Sequence, residues 1–200
     1  MKDKNYKILL YLLASIVCIS CKIQKIEQDV LTNLLETNVE RNLKDNERPK
    51  PCICSLSDKK VVVITNNDCG FLEIENDSCL LNSLKTFNSF SKDMYEDFMK
   101  KNKSIRTIKL NKVDNKEVSY ITQQKINKYL QNDNWQGYNT TIVGSPVFHI
   151  SRPGLNNTKS KALVYLSITK GKLSGTGYYF ILEKQQNQWN IIECYLAWMS

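Results

Sequence analysis

The chain has 200 residues, 28 Lys and Arg against 20 Asp and Glu, a formal net charge of +8 and one histidine. The positive charge is spread along the chain, not gathered into a stripe with interleaved aromatics, which argues against nucleic acid as a partner. A lone histidine, His149, excludes His-rich metal sites and most catalytic triads.

Lys2, Lys4 and Lys7 make a basic start, and an apolar run of about a dozen residues ends at Ile19, short of the roughly 20 that a spanning helix needs. Ile19-Ser20-Cys21 closes the run. A small residue before a cysteine resembles a bacterial lipobox. That resemblance implies cleavage before Cys21 and lipidation of its thiol. One position departs from the pattern: Cys18 stands where an aliphatic residue is usual. Cys18 itself is the poorer acceptor, because bulky Val17 precedes it. The competing reading is a plain membrane-anchoring helix with an incidental cysteine. Residues 1–20 are thus expected to be a signal peptide, and their removal takes away three Lys and one Asp.

Residues 21–58 are expected to form a leader helix and a loop. Ile26, Val30, Leu31, Leu34 and Leu35 recur at helical spacing, which predicts an amphipathic helix over 26–42. Pro49 and Pro51 mark the loop. One α+β domain is expected over 59–200, long enough for a real core. Val61-Val62-Val63-Ile64 predicts a strand, and 71–75 a second short one. Residues 80–87 are expected to be helical, as are 91–101, with Ser91 as N-cap and Met94, Tyr95, Phe98 and Met99 on one face. Strands are expected at 105–110 and 118–121. Thr122 then caps a helix to Leu130, with Ile126, Tyr129 and Leu130 facing inward. A polar loop surrounds Trp135.

The C-terminal part reads as four strands: 147–151, 162–169, 178–184 and 189–198. Pro153-Gly154, Asn156-Asn157-Thr158, the glycines from Gly171 to Gly177, and Gln185-Gln186-Asn187-Gln188 separate them. Short connections make this a curved antiparallel meander, the element around which the rest is organised. Both faces carry apolar residues, so the upstream helices must cover it. The fold class is therefore α+β, with N-terminal helices followed by the meander.

Ser151-Arg152-Pro153-Gly154-Leu155-Asn156, Ala162-Leu163-Val164-Tyr165-Leu166, Gly175-Thr176-Gly177-Tyr178-Tyr179, Trp189-Asn190-Ile191 and Trp198-Met199-Ser200 resemble an uncharacterised family of Bacteroidetes-type lipoproteins. The resemblance covers about the last third of the chain. It implies an exported domain lipid-anchored in the bacterial cell envelope, and it carries no catalytic residue. Helices first and a curved sheet last are also similar in architecture to NTF2-like cone folds, an analogy that does not fix function.

Five cysteines follow Cys21: Cys52, Cys54, Cys69, Cys79 and Cys194. In an oxidising compartment Cys69 and Cys79 are the expected disulfide, closing a short loop worth roughly 2–3 kcal/mol. Zinc on the pairs Cys52/Cys54 and Cys69/Cys79 is the sharper alternative. Their spacing is not that of the usual knuckles, so no metal and no cofactor is assigned. Cys194 is read as a small buried apolar residue. The three glycines from Gly171 to Gly177 lack a following Gly-Lys-Ser/Thr and precede a strand, so they are turn residues, not a phosphate loop. His149, Tyr165, Tyr178 and Trp198 surround the sheet and are the expected lining of any pocket. No residue is assigned as catalytic.

The functional expectation is a non-enzymatic binding or structural module. Its partner is the membrane, through the anchor, and any protein or small-molecule partner is unspecified. The alternative is a small hydrolase- or isomerase-like enzyme with a cone-shaped pocket near His149. As general base His149 would need a nucleophile or a carboxylate partner; Ser151 shares its face on the strand, and a cleft shared with Glu193, Tyr165 or Arg152 would favour this reading.

Overall fold

A computed structural model describes residues 2–36, 60–64, 78–103, 110, 113, 117–131, 146–171 and 174–200. In chain order these form α1 (Lys2–Glu36), β1 (Lys60–Ile64), α2 (Ser78–Lys85), α3 (Lys92–Asn102), β2 (Glu117–Ile121), α4 (Gln123–Gln131), β3 (Val147–Ile150), β4 (Gly154–Leu155), β5 (Lys161–Gly171), β6 (Ser174–Gln185) and β7 (Gln188–Met199). The fold is α+β, with an N-terminal helix and a C-terminal antiparallel meander that does not close into a barrel.

The meander is β3-β5-β6-β7. Branched and aromatic residues fill its strands, as a pleated, twice-covered surface favours. β3 pairs antiparallel with β5 through Phe148 opposite Ile168 and His149 opposite Ser167. β5 pairs with β6 over nearly its whole length, and β6 with β7 likewise. Gln186 and Asn187 alone turn the last hairpin, both at positive φ (49° and 66°), with Gln185 paired to Gln188. Positive φ at both central residues is the backbone that two-residue hairpins require.

Two features extend this sheet beyond the expected meander. The two-residue β4 adds to β5 beside β3. β1 pairs parallel with both β3 and β2, giving the order β2-β1-β3-β5-β6-β7. β1 carries the continuous apolar run Val61-Val62-Val63-Ile64. The strands expected at 71–75 and 105–109 lie outside the described residues.

The period-2 alternation sorts side chains onto two cores. On one face Phe148, Ile150, Val164, Leu166, Tyr178, Phe180, Leu182, Trp189 and Ile191 pack under α1 through Val30, Leu31, Leu34 and Leu35. On the other face Leu163, Tyr165, Tyr179 and Ile181 pack under Leu84 of α2 and Met94 and Phe98 of α3. The helices therefore flank the sheet on both sides.

Helix ends follow their capping chemistry in part. Thr122 caps α4, its Oγ1 accepting the Lys125 N–H at 3.3 Å. Ser91 holds the extended N-cap backbone of α3, but its hydroxyl makes no cap bond. α1 runs unbroken from Lys2, and 37–42, expected to continue it, lie outside the described residues.

Candidate functional site

Three places in the fold gather the residues that carry chemistry. The first is α1 itself. Along one helix the environment changes abruptly. Tyr6, Ile8, Leu10, Tyr11, Val17 and Ile19 are exposed, Tyr11 to 78%. Cys18 and Cys21 are exposed free thiols. From Glu27 onward the stripe Val30, Leu31, Leu34 and Leu35 is buried, Val30 completely. Cys21 thus stands just outside the packed part of the molecule. No helix among the described residues is long and apolar enough to cross a membrane.

The second place is the segment after β3 that runs through β4, Ser151 to Asn156, which joins three elements residue by residue. Ser151 is wholly buried; its backbone N–H donates to the Tyr165 carbonyl, and its Oγ accepts the Tyr165 N–H at 2.8 Å. The Arg152 guanidinium reaches α1, where Nη2 lies 3.1 Å from both carboxylate oxygens of Glu27. The Arg152 backbone is held from α3: its N–H donates to Asn102 Oδ1 and its carbonyl accepts from Asn102 Nδ2, at 2.8 and 2.9 Å. Lys101 binds the Pro153 carbonyl, Glu27 at 3.0 Å and Asp97 at 2.7 Å.

The rest of the loop continues the pattern. Gly154 lies so close to α3 that a β-carbon would collide with the Met94 carbonyl and the backbone of Phe98. The Leu155 N–H donates to Asp97, and the Asn157 N–H to Asp93, each at 2.7 Å. The bond from Asn157 holds the Asp93 carboxyl below its ordinary range. Asn156 Oδ1 accepts the Ser160 and Lys161 N–H groups and closes the turn into β5. Two cations and two anions compensate one another in a largely buried setting, as buried charge requires.

The third place is the sheet face beneath α2 and α3. His149 stands opposite Ser167, and residues directly opposite in an antiparallel pair share a face. Tyr165 lies two residues along β5 on that face, its ring 4.9 Å from that of Tyr179. The Trp198 indole lies across Gly175 and Gly177, with Nε1 donating to the Tyr165 hydroxyl at 2.7 Å. Burial pushes His149 down to about 4 and Tyr165 above its usual value, so both are neutral at pH 7. Three of the four expected pocket residues, His149, Tyr165 and Trp198, therefore share one face. Tyr178 does not join them. It points into the α1-side core beside Phe180, because it is one residue out of step on β6.

Of the partners weighed for His149, Tyr165 shares its face, and so does Glu193, which stands opposite Ile181. Glu193 is on β7, bound to the Ser89 N–H at 3.3 Å, and Arg152 is taken by Glu27. The Ser151 hydroxyl is taken by a backbone amide. What remains is a line of neutral hydrogen-bonding groups that can orient a polar ligand or rigidify the sheet.

The cysteines require one correction. Cys194, expected to be a plain buried apolar residue, is disulfide-bonded. Cys18 and Cys21 are free, which leaves Cys52, Cys54, Cys69 and Cys79 as its possible partners. The partner's side chain lies outside the described residues, as do the sulfur atoms of the expected pair Cys69 and Cys79. Among the described residues no group of three or more His, Cys, Asp or Glu is placed to hold a metal ion.

Sequence reasoning missed Glu27, Asp97, Lys101 and Asn102 as partners of the loop. Glu27 had a readable signal: a carboxylate on the apolar stripe of an amphipathic helix, four residues before Leu31, needs a buried cation. Comparison with known families, curated proteins and solved structures returns no match.

Proposed function

We propose that this chain is an envelope lipoprotein: a signal peptide over residues 1–20, a lipid on Cys21, and a folded domain held at the membrane as a non-enzymatic binding or structural module. The burial boundary within α1 carries this reading. Among the described side chains, the large apolar ones before Cys21 are exposed, while Ile26, Val30, Leu31, Leu34 and Leu35 pack into the core. Cleavage before Cys21 would remove the first set and spare the second. Two acyl chains then suffice for stable anchoring, at about 0.8 kcal/mol for each buried methylene, without a spanning helix. The disulfide at Cys194 fits the same reading, since such bonds persist in oxidising compartments.

The non-enzymatic reading stands ahead of the hydrolase or isomerase one for a geometric reason. The hydroxyl nearest His149 in sequence, Ser151, and the charged groups Arg152 and Glu193 are all bound elsewhere. Cells fed a radioactive fatty acid test the anchor. Label should enter the wild-type chain and Cys18→Ser and be absent from Cys21→Ser, whose precursor should persist uncleaved. Label retained in Cys21→Ser would overturn the assignment.

A further inference from the structure

The ion pair between Lys101 and Glu27 fixes which end of the domain lies nearest the anchor. It brings the C-terminal turn of α3 to within 3.0 Å of a glutamate only six positions beyond Cys21. Lys22 and Lys25 lie five and two positions before Glu27 on the same helix, within roughly 8 Å along its axis at 1.5 Å per residue. Both are exposed, as are Lys100 and Lys103 at the end of α3. The cations in the middle of this end, Lys101 and Arg152, are neutralised by Glu27 and Asp97. The lysines around them stay at the surface; of the exposed acids near them, Asp29 lies on α1 and Glu96 on α3, where it pairs with Lys92.

We infer that Lys22, Lys25, Lys100 and Lys103 form a basic collar around the anchor point that seats the domain on an anionic phospholipid surface. This rests on the lipid at Cys21 for its geometry. From Cys21 to Ile26, the first residue packed on the core, there are five steps of chain. Even fully extended these span about 17 Å, so an anchored domain cannot leave the headgroup region. Charge complementarity then selects the surface. Lysines beside an anionic bilayer contribute about 1 kcal/mol each, and the attraction fades within a Debye length of ~10 Å at 0.1 M salt.

The test uses full-length protein purified from the membranes of the producing cells. It is mixed with vesicles of phosphatidylcholine alone, or with one third phosphatidylglycerol, and floated. The bound protein is then acylated with an amine reagent, and each lysine is scored by mass spectrometry. Lys22, Lys25 and Lys100 should react several-fold more slowly on the anionic vesicles than on the neutral ones. Lys92, exposed at the far end of α3, should not change. The difference should vanish in 1 M salt, and in the triple variant Lys22→Gln, Lys25→Gln, Lys100→Gln, whose changes are confined to exposed side chains, the remaining collar lysine Lys103 should react equally on both vesicles. Equal reactivity on both vesicles would overturn the collar and leave the anchor standing. Flotation on anionic vesicles alone, lost in the triple variant, would support the collar and remove the anchor. Flotation on neither would overturn both.

Discussion

His149 is held neutral by burial, and that has a consequence for stability. Its folded value of about 4 lies below the unfolded value of 6.5, so the unfolded chain binds the extra proton between them. Stability from this residue is complete above pH 6.5 and is lost as pH falls toward 4, by about 3 kcal/mol in total at 1.4 kcal/mol per unit. Carboxylates lose their contributions in an overlapping range. The informative quantity is thus the difference between wild type and His149→Gln in denaturant midpoints at pH 7.5 and pH 4.5. The wild type should lose more over this interval by at least 1 kcal/mol; parallel losses would place the imidazole in water. Three glycines give a ranked expectation at the same scale. A β-carbon at Gly154 meets the backbone of α3, at Gly177 it meets the Trp198 indole, and at Gly175 it stands 3.0 Å from the far edge of that ring. Helix backbone cannot yield, a tethered indole yields at the expense of its Tyr165 bond, and a ring edge yields by a few tenths of an ångström. Alanine should therefore destabilise most at Gly154, by about 3 kcal/mol or more, less at Gly177, and by under about 1 kcal/mol at Gly175. Urea denaturation of the three variants checks the order. Loss of Trp198 fluorescence position in Gly177→Ala alone would show that the indole, not the strand, has moved.

Between elements, the loop after β3 works as a clasp. It fastens α1 to one side of the sheet through Glu27 and α3 to the other through Asn102, Lys101 and Asp97. Arg152→Gln removes the guanidinium and leaves Glu27 to Lys101 alone, at a cost of about 2 kcal/mol, below the 3–5 for a fully stranded buried charge. The double variant Glu27→Gln with Arg152→Gln should be less destabilised than the two single losses added, because neither charge is then left unpaired. Additive losses in thermal melts would mean the pair is not coupled. This clasp is the part of the molecule least legible in the sequence. Glu27 and Arg152 are 125 positions apart, and no local periodicity links them. The run Ser151 to Asn156 stood out in the sequence, and the structure supplies its physical content: every residue in it holds another element. The strands were legible because hairpins are local and alternate with period 2, and the helix stripe of α1 because 3.6-residue spacing is equally local. The parallel pairing of β1 was not, since a bare apolar run carries neither register nor direction. The same limit hid the sidedness of Tyr178, whose neighbour Tyr179 reads identically until the pairing with β5 fixes which of the two meets α3.

At the scale of the whole molecule the two ends of the chain are expected to differ in how much the core depends on them. Among the described strands β7 stands at an edge, with two β-bulges in its pairing to β6, a device that discourages edge-to-edge association. Edge position would ordinarily make a strand expendable. β7 differs because it serves both cores at once: Trp189 and Ile191 are buried under α1, and Ile192, Tyr195 and Ala197 pack toward α2 and α3. Burying one large apolar side chain contributes roughly 1.5–3 kcal/mol, and the Cys194 disulfide adds about 2–4. Together these approach the 5–15 kcal/mol that separates most domains from their unfolded chains. A chain ending at Asn187 should therefore lack near-UV dichroism and show no cooperative melt. At the other end, the described large apolar side chains within residues 2–20 are exposed, while Glu27 and the stripe behind it fasten α1. A chain beginning at Lys22 should melt within a few degrees of the full-length protein, a shift of under about 1 kcal/mol, and should be the more soluble of the two. A cooperative melt in the chain ending at Asn187 would show that α1 and β3–β6 suffice as a core. A large fall in melting temperature on removing the first 21 residues would place those residues inside the folding unit, and cleavage before Cys21 could then no longer leave the domain intact.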